Sequence, residues 1–68
     1  MSSIVLNGRD YHLGVKACSL DELFERLKYH SKQCVVELNG ELVRQDSFSM
    51  TTIQECDEIE ILHFMGGG

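Results

Sequence analysis

Positive charge is scarce in this chain: six Lys and Arg stand against eleven Asp and Glu, for a formal net charge of −5. Nucleic acid and anionic membranes are bound through Lys and Arg, so neither is an expected partner, and a protein with a basic surface is. No apolar run approaches the ~20 residues that a membrane-spanning helix needs. The Met1-Ser2-Ser3 start has no apolar block of the kind that marks a signal peptide. Cysteine is sparse too. Cys18, Cys34 and Cys56 are odd in number and widely spaced, with no Cys-x-x-Cys pair, which argues against a disulfide framework and against a zinc site. Cys34 lies in an apolar stretch and reads as a small buried hydrophobe. The expected compartment is the cytoplasm.

Enzyme motifs are also missing. The glycines sit in turns and at the end, with no phosphate-binding loop. His12, His30 and His63 lack metal-ligand spacing, and a lone strand histidine such as His63 is usually structural or solvent-facing. Cys56, between Glu55 and Asp57, is a poor setting for a nucleophile. Ser47 and Ser49 have no accompanying histidine and acid. With 68 residues the chain makes one domain, and a chain of this size buries about 60% of its unfolded surface, leaving little room for a deep catalytic pocket beside a core. The chain is not expected to be an enzyme, and no bound cofactor or metal is expected.

What is present is a clear order of elements. Asn7-Gly8 separates Ile4-Val5-Leu6 from Tyr11-His12-Leu13, and Asn39-Gly40 separates Cys34–Leu38 from Glu41-Leu42-Val43. Asn-Gly between β-prone runs is the strongest local hairpin signal, because a type I′ turn needs two positive φ values. Between the hairpins, Ser19 and Glu22 form a capping box. Leu20, Leu23, Phe24 and Leu27 make one apolar helical stripe. Asp21 and Glu22 lie in the first turn and Lys28 in the last, as the helix dipole prefers; Glu22 and Arg26 are spaced to pair, and the helix is expected to end near His30. Arg44 to Glu55 is a looser polar stretch with Phe48, Met50 and Ile53 as anchors. A last strand follows, with Ile59, Ile61 and His63 on one face and Glu60, Leu62 and Phe64 on the other.

Hairpin, helix, hairpin and closing strand predict an α+β fold of the ubiquitin-like β-grasp type: a mixed sheet of four to five strands packed on one α-helix. Residues 1–65 form that domain, and residues 66–68 form a flexible glycine tail. Glu55, Asp57, Glu58 and Glu60 precede the tail; they read first as a solvated edge, and such charges also steer association. Glycine-rich ends are commonly frayed termini. Here the glycines follow a closing strand, and glycine has no Cβ, so Gly66-Gly67-Gly68 makes a thin tether that offers an α-carboxylate at its tip. Leu62 and Phe64, on the face opposite Ile59 and Ile61, and the adjoining Met65 are the candidate partner-binding residues.

The pieces Ile4-Val5-Leu6-Asn7-Gly8, Leu20-Asp21-Glu22-Leu23-Phe24, Val36–Val43 and above all Asp57–Gly68 resemble the small ubiquitin-like sulfur carriers of thiamine biosynthesis, the ThiS type. The resemblance covers essentially the whole chain, and its specific part is the final block. It departs at Cys56, where a glycine usually precedes the acidic residue, and near Arg44, where many members have a proline. It implies that the activated residue is Gly68, with Gly67 and Gly66 as its thread. It implies a ThiF-type adenylating enzyme that uses ATP, a persulfide-bearing sulfur donor, and a thiazole synthase of the ThiG type that takes the sulfur from a thiocarboxylate. In that scheme the chain is a co-substrate. The small subunit of molybdopterin synthase shares the fold and the Gly-Gly end, but it is usually longer and carries a proline before the glycines, whereas this chain contains none. A ubiquitin-like conjugating tag and a plain interaction module are the remaining alternatives.

Overall fold

A computed structural model describes residues 2–64. The chain runs β1 (Ser3–Leu6), β2 (Arg9–His12), β3 (Ala17–Ser19), α1 (Leu20–Leu27), β4 (Cys34–Leu38), β5 (Glu41–Val43), β6 (Thr52–Gln54) and β7 (Glu58–His63), with 3₁₀ turns at Ser31–Gln33 and Gln45–Met50. Five strands form one sheet in the order β2-β1-β7-β4-β5. The pair β1–β7 is parallel, and the other pairs in this sheet are antiparallel. With α1 covering one face, this is the β-grasp arrangement.

Both hairpin turns follow from their asparagines and glycines. Asn7 and Gly8 have φ of 51° and 82°, and Asn39 and Gly40 have 52° and 88°; asparagine tolerates the left-handed region and glycine enters it freely. At the start of α1 the capping box is complete. Glu22 N–H donates to Ser19 Oγ at 3.1 Å, and Ser19 N–H donates to Glu22 Oε1 at 2.9 Å. That commitment of Glu22 removes the expected Glu22–Arg26 pair, and Arg26 instead donates through Nη1 to the Leu13 carbonyl. The helix also stops earlier than expected, at Leu27 rather than near His30, and Lys28 is the left-handed cap rather than part of the last turn, at φ 59°. Its N–H and that of Tyr29 reach back to the Glu25 and Phe24 carbonyls at 3.2 and 3.1 Å, so the last turn closes without a glycine.

The core lies between α1 and the inner face of the sheet. Leu20, Leu23 and Phe24 from the helix meet Ile4, Val36, Ile59 and Ile61 from the strands, all buried. Cys34 and Leu13 are buried with them, and Leu27 packs half-buried at the margin. The polar stretch after the second hairpin is more ordered than expected. Its β6 pairs antiparallel with β3 in a separate two-stranded sheet, placing Ile53 opposite Cys18. Phe48 is buried and its ring lies 5.2 Å from that of Phe24. Met50, expected as an anchor, is instead 84% exposed. In a 3₁₀ turn, positions three apart eclipse, so with Phe48 pointing inward a residue two positions on points away.

Cys56 bears on the turn that launches β7. It adopts φ 73°, the left-handed conformation that glycine enters freely. Its N–H bonds the Ser3 carbonyl at 2.8 Å, and Asp57 closes the turn through Gln54 on both sides: Asp57 N–H to Gln54 O at 3.0 Å, and Gln54 N–H to Asp57 Oδ2 at 2.8 Å. A side chain in this region costs about 1–2 kcal/mol, partly offset by the lower unfolded-state entropy of a non-glycine residue. Cys56→Gly is therefore expected to stabilise the domain by about 0.5–1 kcal/mol, seen as a raised melting temperature. A lower melting temperature would show that the Cys56 side chain contributes more than its backbone strain removes.

Candidate functional site

The strand that leads to the glycines is the middle strand of the main sheet, with β1 on one side and β4 on the other. Its residues alternate: Ile59 and Ile61 face the core, while Glu58, Glu60 and Leu62 are exposed. Cross-strand partners share a face, so Leu62 stands beside Val35, and Glu60 beside Glu37. Leu62 is 67% exposed, Val35 41% and Phe64 47%. Phe64 continues the pairing beyond β7 by donating its N–H to the Gln33 carbonyl at 3.0 Å. An open groove of about 450 Å³ runs over this outer face, lined by Asn7, Val35, Glu37, Glu60, Ile61 and Leu62. Apolar side chains and two carboxylates thus meet on the solvent side of the strand that carries the tail.

The strand is fixed from both neighbours. On the β4 side it pairs from Leu38↔Ile59 to Cys34↔His63. On the other side β1 pairs only with Glu58 and Ile59. There Asn7 takes over: its N–H donates to the Ile59 carbonyl at 2.9 Å, its Oδ1 accepts from Ile61 N–H at 2.7 Å, and its Nδ2 donates to the Ile61 carbonyl at 3.2 Å. His63, on the inner side by alternation but at the open end of the strand, stacks on Tyr29 with ring centroids 5.0 Å apart and planes within 6°.

Of the residues singled out from the sequence, Leu62 lines the groove and Phe64 follows two positions on, both exposed. Met65, Gly66, Gly67 and Gly68 fall outside the described residues. Val35, Glu37 and Asn7 were not singled out for the site. The alternation of β4 signals the first two, since Val35 and Glu37 must face away from Cys34 and Val36. Asn7 had a signal only as a turn residue.

Two of the three cysteines, Cys18 and Cys34, are buried, and Cys56 is exposed. Burial pushes the Cys18 and Cys34 thiols above their ordinary value; at Cys18 the Arg26 charge opposes that rise and Glu22 adds to it. Thiols shifted upward stay protonated near neutral pH and are weak nucleophiles. Among the described residues, no group of three or more His, Cys, Asp or Glu is placed to hold a metal ion. No helix there is long and apolar enough to cross a membrane.

Residues 4–68 match the ThiS family. The sulfur carrier protein ThiS of Bacillus subtilis is 30% identical over 63 residues, covering 93% of this chain and 96% of that protein. A thiazole synthase of Magnetococcus marinus is 34% identical over 65 residues; the match covers 96% of this chain but 20% of that enzyme. The crystal structure of a thiamine biosynthesis protein (ThiS) from Geobacter metallireducens superposes with a TM-score of 0.83 at 35% identity, covering 97% of this chain and 99% of that one.

Proposed function

Because this chain belongs to the ThiS family, we propose that it is a sulfur carrier of thiamine biosynthesis whose Gly68 carboxylate is adenylated and then converted to a thiocarboxylate. The observation that carries this reading is that the family match runs through Gly66 and Gly67 to Gly68. A carboxylate is a poor acyl donor. Its oxygen attacks the α-phosphorus of ATP on a partner enzyme, pyrophosphate leaves, and the tail becomes a mixed anhydride with AMP. The terminal sulfur of a persulfide donor adds to the carbonyl carbon and expels AMP. Cleavage of the S–S bond by a reducing thiol then leaves the thiocarboxylate. Glycine suits each step because its carbonyl is unhindered on the Cα side. The chain is a recycled co-substrate in this scheme, and ATP is consumed by the adenylating enzyme.

The acceptor that we propose is a thiazole synthase. The relative in which a similar segment makes up a fifth of a thiazole synthase supports the pairing, since two proteins that work together gain effective concentration when they are joined. Incubating the chain with ATP, its adenylating enzyme, a persulfide source and a reducing thiol is expected to raise its intact mass by the exchange of one oxygen for sulfur. Sulfur found on Cys18, Cys34 or Cys56 instead would overturn the carrier mechanism.

The groove beside β7 is the docking surface in this reading, with Leu62 and Val35 as its apolar lining and Phe64 and Met65, next along the chain, as the further candidate contacts. Glu37 and Glu60 face each other across β4 and β7, and like charges in that position are destabilising. A partner that brings Lys or Arg to the groove relieves that repulsion and matches the net charge of −5. Leu62→Asp is expected to weaken binding to the adenylating enzyme by about tenfold or more, with the melting temperature little changed because Leu62 is 67% exposed. Titration calorimetry checks this, and unchanged affinity for both Leu62→Asp and Phe64→Asp would remove the patch from the interface.

A further inference from the structure

Asn7 bonds to the tail-bearing strand at three backbone groups, yet it lies 54 residues from Ile61 in sequence. A carboxamide carries one donor side and one acceptor side, as a peptide group does. Where the main chain of β1 turns away at Asn7-Gly8, the Asn7 side chain occupies the next rung of the ladder and satisfies both Ile61 N–H and Ile61 C=O. Beyond Ile59, this side chain is what holds the β1-facing edge of β7. With it gone, the backbone of β7 beyond Ile59 would be hydrogen-bonded on its β4 side alone.

Asn39 uses the same chemistry at the other end of the strand. Its N–H donates to the Glu58 carbonyl at 2.7 Å, its Oδ1 accepts from Glu58 N–H at 2.8 Å, and its Nδ2 donates to Asp57 Oδ1 at 3.1 Å. The two asparagines share residue type, turn position and an Oδ1 that accepts a backbone N–H of β7; the Asn39 Nδ2 goes to a side chain rather than a carbonyl, and Asn39 stands at the end of β7 away from the tail.

We propose that Asn7 is a positioning residue for the tail reaction: its carboxamide extends the edge of β1 and sets the direction in which β7 delivers the C-terminal glycines. The proposal rests on the carrier reading above. Reacting groups tolerate misplacement of only about an ångström, and a strand end hydrogen-bonded on one side alone delivers its tip to a wider range of positions.

Asn7→Gly tests this. Glycine keeps the positive φ of 51° at this position and removes only the side chain, so the hairpin still forms. Amide hydrogen exchange is expected to speed up about three- to tenfold at Ile61, the loss of one hydrogen bond's net protection, with the amides of β2 unchanged. The kcat for adenylation is expected to fall about tenfold or more at saturating carrier; because Asn7 also lines the groove, KM is compared with that of Leu62→Asp, and a loss confined to KM overturns the positioning role. Asn7→Asp, which keeps the acceptor for Ile61 N–H and lacks the donor, is expected to lie between, and it serves if the glycine variant does not fold. Asn39→Gly is the control: it should lower the melting temperature comparably and leave kcat near wild type. Wild-type kcat in Asn7→Gly, or equal losses in the Asn7 and Asn39 variants, overturns the proposal. If the wild-type chain itself is not adenylated, the carrier reading falls. The exchange rate at Ile61 then still decides whether Asn7 holds the strand.

Discussion

Deletion of Gly68 is expected to abolish conversion of the tail to a thiocarboxylate while leaving the fold and its stability unchanged. Removing the residue does not remove the carboxylate; it moves it to Gly67. One extended residue spans roughly 3.3–3.6 Å, so the group that must meet the α-phosphorus of ATP retreats by several times the ångström or so that near-attack geometry tolerates. A loss of more than about a hundredfold in kcat follows. Gly67→Val is the companion test. It keeps the length and adds a β-branched side chain, which any channel shaped for bare glycine backbone must reject. The two variants separate reach from width: the deletion leaves a thin chain that is too short, and the valine leaves a chain of the right length that is too thick. Both are measured by intact mass after incubation with ATP, the adenylating enzyme and a sulfur source. A shortened chain that still supports thiazole formation would overturn the proposed role of Gly68.

The parts of the fold governed by local rules were legible in the sequence. Asn7-Gly8 and Asn39-Gly40 form the two hairpins because the turn chemistry lies within two residues, and Ser19 with Glu22 caps the helix because the box lies within four. Period-two alternation placed Ile59 and Ile61 inward and Leu62 and Phe64 outward, as observed. The misses share a different cause. Strands β3 and β6 are three residues each with one buried position apiece, Cys18 and Ile53, too short for alternation to register. The helix end was misplaced because Lys28, and no glycine, takes the left-handed cap. Asn7 was legible as a turn residue and illegible as the partner of Ile61, since nothing local signals a bond across 54 residues. The same limit applies to Glu37 and Glu60: each reads as an ordinary exposed acid until strand register sets them side by side.

Leu23→Ala is expected to cost the domain more stability than Leu62→Asp, Phe64→Asp or either asparagine variant. Leu23 is fully buried in α1, within the cluster that joins the helix to Ile4, Val36, Ile59 and Ile61 of the sheet. Truncating a buried leucine removes its transfer free energy and leaves a cavity that neighbours only partly fill, together about 2–5 kcal/mol. Small domains are stable by about 0.05–0.15 kcal/mol per residue, so this one change removes a large share of what holds 68 residues folded. Leu27, half-buried at the helix end where Lys28 turns the chain away, should lose less on the same substitution, because its site opens to water and leaves a smaller void. Urea denaturation checks both: the midpoint shifts in the order Leu23→Ala, then Leu27→Ala, with the slope unchanged if the compactness of both end states is preserved. At a temperature where Leu23→Ala remains folded, its kcat for adenylation should match wild type, since Leu23 is buried under the helix and does not line the groove. A midpoint shift near zero for Leu23→Ala would mean that the helix does not seat on the sheet through this residue.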